Sequence, residues 1–334
     1  MLANFKVCVR CKTYNHARYI EDAMNGFCIQ QTEFPFVCII VDDASADGEQ
    51  EIIRNYMQHN FDLYNQELVM RKETDDYVFI YAKHKENLNC YFAVYLLKYN
   101  HYGINKAKTP YFSEFIKDIE FQAVCEGDDF WISPDKLQTQ VTFLESHLDF
   151  SLCFHNVEVL TENEAKLGKN VYNHLEEKEY KGDDIIKRWT IPTCSVVYRS
   201  GILEYVPKNK DFCIGDNVLF LTAVSRGRCY CHNEKMGVYR RSINGWVANN
   251  SGNVESHYKM IKHMKALLLY FPQYKKGIDD DIALRYALIT IYQLKECNLS
   301  FLKTIFIGLL HYHYFYIKHI VRRLIMIIQL RIKK

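Results

Sequence analysis

The run Phe36-Val-Cys-Ile-Ile-Val41 is apolar at every position and stops on Asp42-Asp43. A strand buried on both faces of a parallel sheet reads this way, whereas a half-buried strand alternates. Residues 5–11 predict a first strand, 77–82 a third, and 121–125 a fourth that stops on Glu126-Gly-Asp-Asp129. Between them lie helical spacing over 17–30, a helix from an Asp47 N-cap to about His59, and a helix over 91–100. Residues 101–118 read as an insertion before the fourth strand. Ser133-Pro134 then opens a helix, with Ser as N-cap and Pro in the first turn. Further on, 151–160 and 193–199 predict strands, 214–226 a helix, and 229–240 a strand with a turn. The pattern is helical from about 255 to the end, and no internal repeat is visible. The fold class is α/β, a Rossmann-like mixed sheet flanked by helices, with a C-terminal helical extension.

Composition narrows the picture. The 334 residues are 49% hydrophobic and 25% charged, which excludes a disordered or low-complexity chain. A net charge of +2 argues against a uniformly basic nucleic-acid binder, so no nucleic acid is expected as a partner. The charge is unevenly placed: residues 299–334 hold seven lysines and arginines and no acid, making that segment +7 and the rest −5. Twelve cysteines are scattered, several inside apolar runs, and the N-terminus has no charged-then-apolar leader pattern. A reducing cytosol is the simplest compartment. Cys8 and Cys11 have C-x-x-C spacing without a second pair, and a packing role is expected of them.

Acidic residues at the carboxyl ends of two buried strands mark the edge where open α/β sheets bind ligands. No G-x-G-x-x-G follows the first strand and no G-x-x-x-x-G-K-[ST] occurs, so the usual phosphate-cradling loops are missing. Asp42-Asp43 reads either as a helix-capping loop or as acceptors for a ligand base or ribose. In Glu126-Gly-Asp128-Asp129 three carboxylates within four residues repel one another unless a cation sits among them, and oxygen ligands suit Mg²⁺ or Mn²⁺. Gly127 would let the backbone approach a ligand closely. The competing account is an acidic turn beside the aromatic pair Phe130-Trp131.

Thr13-Tyr-Asn-His16, Val41-Asp-Asp-Ala-Ser45, Glu126-Gly-Asp-Asp-Phe-Trp131, Pro134-x-Lys-Leu137, Cys153-Phe-His-Asn156 and Ile191-Pro-Thr193 occur in this order. The set resembles the family 2 glycosyltransferases of the GT-A fold, in particular the bacterial branch that builds surface polysaccharides, over roughly residues 5–245. The resemblance implies an inverting, metal-dependent transfer from a nucleotide-diphospho sugar, a UDP-sugar first, to a glycan or lipid-linked acceptor. It implies that Thr13 and Asn15 line the nucleotide, that Asp42 or Asp43 contacts the base, and that Glu126 and Asp129 flank Asp128, the metal ligand. Lys85 or Asn87 would flank the nucleotide, although the usual Asn-Leu-Gly reads Asn87-Leu-Asn89 here. Asp216, after Gly215 and before an apolar run, would be the base, or a plain N-cap; Glu234 is a second choice. Arg240, in Tyr239-Arg-Arg241, could place a cation near the diphosphate. His155 is expected to be structural, and Trp189 and Trp246 could stack on sugar rings. The implied organisation is a transferase domain over 1–250, with a nucleotide half to about 132 and an acceptor half over 133–250. Helices at 251–298 and a basic amphipathic helix at 299–334 follow. Two other classes stay open: a non-catalytic sugar-nucleotide or glycan binder on the same scaffold, and a nucleotidyltransferase.

The last segment has its longest uncharged stretch at Thr304–Ile317, whose 14 residues span about 21 Å as a helix, short of a bilayer core. His311, Lys318, Arg322, Gln329 and Lys333 form one polar stripe with a broad apolar face opposite. This predicts either a cationic helix lying on a membrane surface, peripheral on the inner face of the cell membrane, or a helix packed on the body or on a second subunit.

Overall fold

A computed structural model describes residues 4–65, 69–116, 118–162, 172–187, 190–242 and 253–332. The chain forms two units. The first comprises Met1–Tyr180, Ile191–Glu204 and Arg226–Arg241; the second comprises Lys181–Thr190, Tyr205–Ser225 and Ser242–Lys334. Residues 133–250 are thus shared between them.

The fully apolar run is β2 (Phe36–Asp42), buried along its whole length between two parallel neighbours, β1 (Val7–Thr13) and β5 (Cys90–Leu97). β5 is where a helix was predicted. Cys90-Tyr-Phe-Ala-Val-Tyr-Leu-Leu97 is buried at every position, so its apolar pattern carries no period, and its aromatic content favours a strand. Alternate residues serve opposite faces of the sheet. Val37, Ile39, Val41, Tyr91, Ala93, Tyr95 and Leu97 pack on one side with Tyr111, Phe112 and Phe115 of α3 (Thr109–Ile116). On the other side Phe92 meets Phe27 of α1 (Ile20–Cys28) and Tyr56 of α2 (Glu49–Asn60). The segment read as an insertion therefore supplies one wall of the core. The cap of α2 is Gly48, not Asp47; the Asp47 carboxylate instead accepts the N–H of Glu49.

β3 (Met70–Glu73), which was not predicted, and β4 (Tyr77–Lys83) extend the sheet beyond β5. On the other side of β1 come β6 (Phe121–Val124), β10 (Val197–Arg199), β8 (Phe150–Thr161), β11 (Arg228–Arg241) and β7 (Phe130–Trp131), while β9 (Lys178–Tyr180) also pairs with β11. β1, β2, β5, β6, β8 and β11 run in one direction and β4, β7, β9 and β10 in the other, so the sheet is mixed. Residues 193–195 form a short 3₁₀ turn before β10 rather than strand. Cys8 and Cys11 are buried free thiols three apart on a strand and so face opposite sides, which excludes a shared metal.

α4 (Lys136–Ser146) begins two residues later than Ser133-Pro134 suggested, with Asp135 at the cap position. Its first residue, Lys136, is fully buried. The Nζ stands 3.9 Å from the Trp131 ring centre and has no hydrogen-bond partner among the described residues.

In the second unit, α5 (Gly182–Lys187) and α6 (Gly215–Arg226) precede three long helices. These are α7 (Val254–Tyr270), capped by the Asn253 side chain on the Ser256 N–H, α8 (Lys275–Lys295) and α9 (Phe301–Ile332). α9 bends at Tyr312, whose φ of −136° is not helical. Thr304 donates to Gln293, Tyr316 meets the Thr290 hydroxyl at 2.9 Å, and Lys318 and His319 both reach Asp280, so one side of α9 is fixed to α8. No helix among the described residues is long and apolar enough to cross a membrane.

Burial pushes the Lys136 ammonium down to about 7. A base whose folded pKa is depressed costs stability while both states are protonated, and the cost fades as pH rises from the folded toward the unfolded value. Lys136→Met is therefore expected to be more stable than the natural protein at pH 6. Its advantage should shrink by about 1.4 kcal/mol per unit above pH 7. Urea titrations of both proteins from pH 6 to 9 check this; an advantage that does not change with pH would disprove the buried charge.

Candidate functional site

β1, β2 and β6 end at one edge of the sheet, with Thr13 beside Asp42 and Arg10 beside Val124. The loops leaving these strands are tied together by a residue the sequence reading passed over. Glu49, the first residue of α2, is fully buried. One carboxylate oxygen accepts the Thr13 hydroxyl; the other accepts the His16 N–H at 2.8 Å and the Ser45 hydroxyl at 2.8 Å. Burial raises its pKa, and the donated hydrogen bonds oppose that. The two loops also zip directly: Asn15 N–H donates to Ser45 Oγ, Ala46 N–H to Asn15 Oδ1, and Ala17 N–H to Asp47. Asn15 and Ala44 hold φ of 56° and 61°, a region costly for alanine, at the two loop bends. An acid at a helix start ordinarily reads as a dipole partner, so only the spacing of Thr13 and Ser45 could have singled out Glu49.

The loop after β6 lies against this knot. Gly127 donates to Lys12 O, and a Cβ at Gly127 would stand 2.1 Å from Thr13 Oγ1, so only glycine permits the approach. Asp128 then brings its carboxylate within 3.9 Å of His16 Nε2, and His16 Nδ1 is 3.2 Å from the Thr13 hydroxyl. Asp129 is buried and accepts the Arg240 N–H at 2.8 Å. Burial first, and the neighbouring Asp128 charge second, hold its pKa well above the ordinary carboxylate range. The Arg240 guanidinium donates to the Asp128 carbonyl at 2.9 Å and to the Asp22 carboxylate, and it lies over the rings of Phe130 and Tyr19. Glu126 is half-buried in the same loop.

Thr13, Asn15, Glu126, Asp128, Asp129 and Arg240 are thus brought to one edge, together with His16 and Glu49. Asp42 and Asp43 reach it too, but as internal residues. Asp42 is fully buried, with one oxygen taken by Ser45 N–H and Gln50 and its pKa raised by burial. Asp43 accepts the N–H groups of His101 and Tyr102 and pairs with Lys108 at 2.6 Å. The 101–108 segment thus occupies the Asp43 carboxylate, while Ser45 and Gln50 occupy one oxygen of Asp42. Lys85 and Asn87, expected beside the nucleotide, do not reach this edge. They precede β5, whose Cys90 lies beside Phe36, so they stand at the opposite edge of the sheet. Lys85 donates there to the His59 carbonyl, and Asn87 to those of Cys28 and Gln30.

Asp216 lies half-buried at the second position of α6, in the second unit. Glu234 is exposed along β11. His155 is buried, its Nδ1 2.7 Å from the Asn156 carbonyl, and burial lowers its pKa well below the usual value. Trp189 and Trp246 lie outside the described residues.

Among the described residues no three His, Cys, Asp or Glu side chains gather as a metal cage. Asp128 and His16, both partly exposed, nevertheless offer two donors side by side. Mg²⁺-type sites commonly use one or two carboxylates and leave the other positions to substrate phosphates and water. The Asp128 carboxylate fits such a half-site, and His16 adds a nitrogen donor beside it.

No protein-family model matches the chain. Two curated relatives, the uncharacterized proteins Rv1520 of Mycobacterium tuberculosis and Mb1547 of Mycobacterium bovis, are each 32% identical over 235 residues, 70% of this chain. The match spans 58% of their length. Among solved structures, S. aureus TarS is similar with a TM-score of 0.54 and 17% identity, over 85% of this chain and 43% of that one. The mannosyltransferase PcManGT from Pyrobaculum calidifontis, solved with GDP-Man and Mn²⁺, gives 0.51 and 12%, over 96% of this chain and 88% of its own. These likenesses show the fold: the mixed α/β sheet with C-terminal helices is of the GT-A type expected from the sequence.

Glu49→Gln keeps the shape but replaces one accepting oxygen with an NH₂, so either the Thr13 hydroxyl must turn round to accept or the His16 N–H and Ser45 hydroxyl lose their acceptor. The expected cost is about 1–3 kcal/mol in chemical denaturation, together with faster hydrogen exchange at the His16 amide. Unchanged exchange there would show that Glu49 does not hold the loops.

Proposed function

We propose that the protein is a metal-dependent glycosyltransferase that moves a sugar, with inversion, from a nucleotide-diphospho sugar to a glycan or lipid-linked saccharide during cell-surface polysaccharide synthesis on the cytoplasmic side of the membrane. The observation that carries this is the convergence of Asp128, His16 and Arg240 at the carboxyl edge of the sheet, with Asp129 buried behind them. The fold shared with a mannosyltransferase solved with a nucleotide sugar and Mn²⁺ supports it.

In this reading the loop from Thr13 to His16 faces the nucleotide through Asn15, Thr13 itself being turned to Glu49, and Asp128 with His16 holds the divalent ion. The ion, when bound, supplies positive charge against the diphosphate. Arg240 adds a fixed cation on the same side. Asp216 is the proposed base: it takes the proton of the acceptor hydroxyl as that oxygen bonds to the anomeric carbon and the bond from that carbon to the diphosphate oxygen breaks. The nucleoside diphosphate leaves with the bonding pair. A UDP-sugar is the first donor to test, followed by GDP-sugars.

A thermal-shift screen of nucleotide sugars with and without Mn²⁺ should give one donor that stabilises the protein only with the ion, because ligand binding to the native state raises its melting temperature. With that donor, release of nucleoside diphosphate identifies the transferase, and release of pyrophosphate would identify a nucleotidyltransferase instead. Asp128→Asn should abolish the Mn²⁺-dependent shift and lower turnover about a hundredfold or more. A variant that keeps both would remove the metal assignment.

A further inference from the structure

The last helix has two dissimilar sides. Tyr316 and His319 turn toward α8, where Tyr316 meets Thr290 and His319 meets Asp280. On the other side Tyr314, Ile317, Val321, Leu324 and Ile325 recur at steps of three, four, three and one, and each is 48–68% exposed. An apolar hollow runs along Tyr314, Ile317, Val321 and Ile325, bordered by His313, Lys318 and Arg322. Before the bend, Leu302, Phe306, Leu309 and Leu310 are exposed in the same manner. A soluble surface rarely leaves so long an apolar strip open without a partner for it.

Charge identifies the partner. α9 carries no acid. The acids of α8 nearest in sequence to its contacts are already matched inside the unit: Asp279 by Lys275, Asp280 by Lys318 and His319, and Asp281 by Arg285. Lys303, Arg322 and Arg323 have no ion pair among the described residues. An apolar strip bordered by the unmatched Arg322, on a helix that carries Lys303 unmatched as well and no acid, suits a surface that is apolar beneath and anionic above. A second copy would set these cations against their own kind. We infer that the exposed side of α9 docks the protein on an anionic lipid surface, with Ile317, Val321 and Leu324 among the acyl chains and Arg322 at the phosphates. The helix lies on the membrane and does not cross it. This inference does not depend on the proposed reaction, and its test uses no nucleotide.

The full chain is sedimented with vesicles of phosphatidylcholine alone and with about one-third phosphatidylglycerol. Partition should be at least about tenfold stronger on the anionic vesicles and should fall in 1 M salt, where screening shortens to about 3 Å. Arg322→Gln should weaken it about fivefold, whereas Arg323→Gln, on the side that carries Tyr316 and His319, should not. The triple variant Ile317→Ser, Val321→Ser, Leu324→Ser should abolish it while the circular-dichroism melt stays unchanged, since these side chains touch little of the fold. Equal partition onto neutral vesicles, or undiminished binding by the triple variant, would overturn the inference. So would absence of vesicle binding together with a dimer that the triple variant dissolves, which would assign the strip to a second copy.

Discussion

A carboxylate at the end of a strand buried on both faces must find donors close by, because water reaches it poorly and an ionised group left without partners is costly. β1, β2 and β6 end side by side, so their loops meet this demand for one another. Glu49 takes Thr13, His16 and Ser45 from two loops; Asp43 takes two main-chain donors and Lys108 from a third segment. This is also the edge at which Asp128 and Arg240 stand.

That arrangement explains what could be read from the sequence. β2 was legible because a run of apolar residues ending on two acids admits few other readings. The acidic loop was legible because Glu126, Asp128 and Asp129 are adjacent in the chain. β5 was misread because burial on both faces erases the periodicity that separates strand from helix. Lys85 and Asn87 were misplaced with it, since a residue before a strand and one before a helix fall on opposite edges of the sheet. Asp42 and Asp43 could not be assigned from sequence. Whether an acid at a strand end meets a ligand or the protein depends on where the following chain runs, and here 101–108 returns onto it.

The C-terminal helix shows the same limit in another form. Its polar stripe reads as a water-facing side, yet Lys318 on that stripe reaches Asp280 of α8. The packed side is chosen by small and hydroxyl residues as much as by large apolar ones: Thr304 and Thr290 bond across the pair, and the missing side chain at Gly308 makes room for the Tyr316 ring. The largest apolar residues are consequently left outside, the reverse of what hydrophobicity alone would assign.

The acidic loop finally shows how the protein handles repulsion that the sequence seemed to leave to a metal. Three carboxylates in four residues would oppose one another if all were ionised. Burial and the Asp128 charge favour the protonated form of Asp129, while the Arg240 N–H holds its oxygen in place. The Arg240 side chain bonds to the Asp128 carbonyl and to Asp22, not to the Asp128 carboxylate. A positive charge therefore stands beside Asp128 without closing an ion pair on it. The loop is made tolerable by lowering the charge of one acid and shielding the next, and the carboxylate that this leaves unpaired by arginine is the one that faces His16.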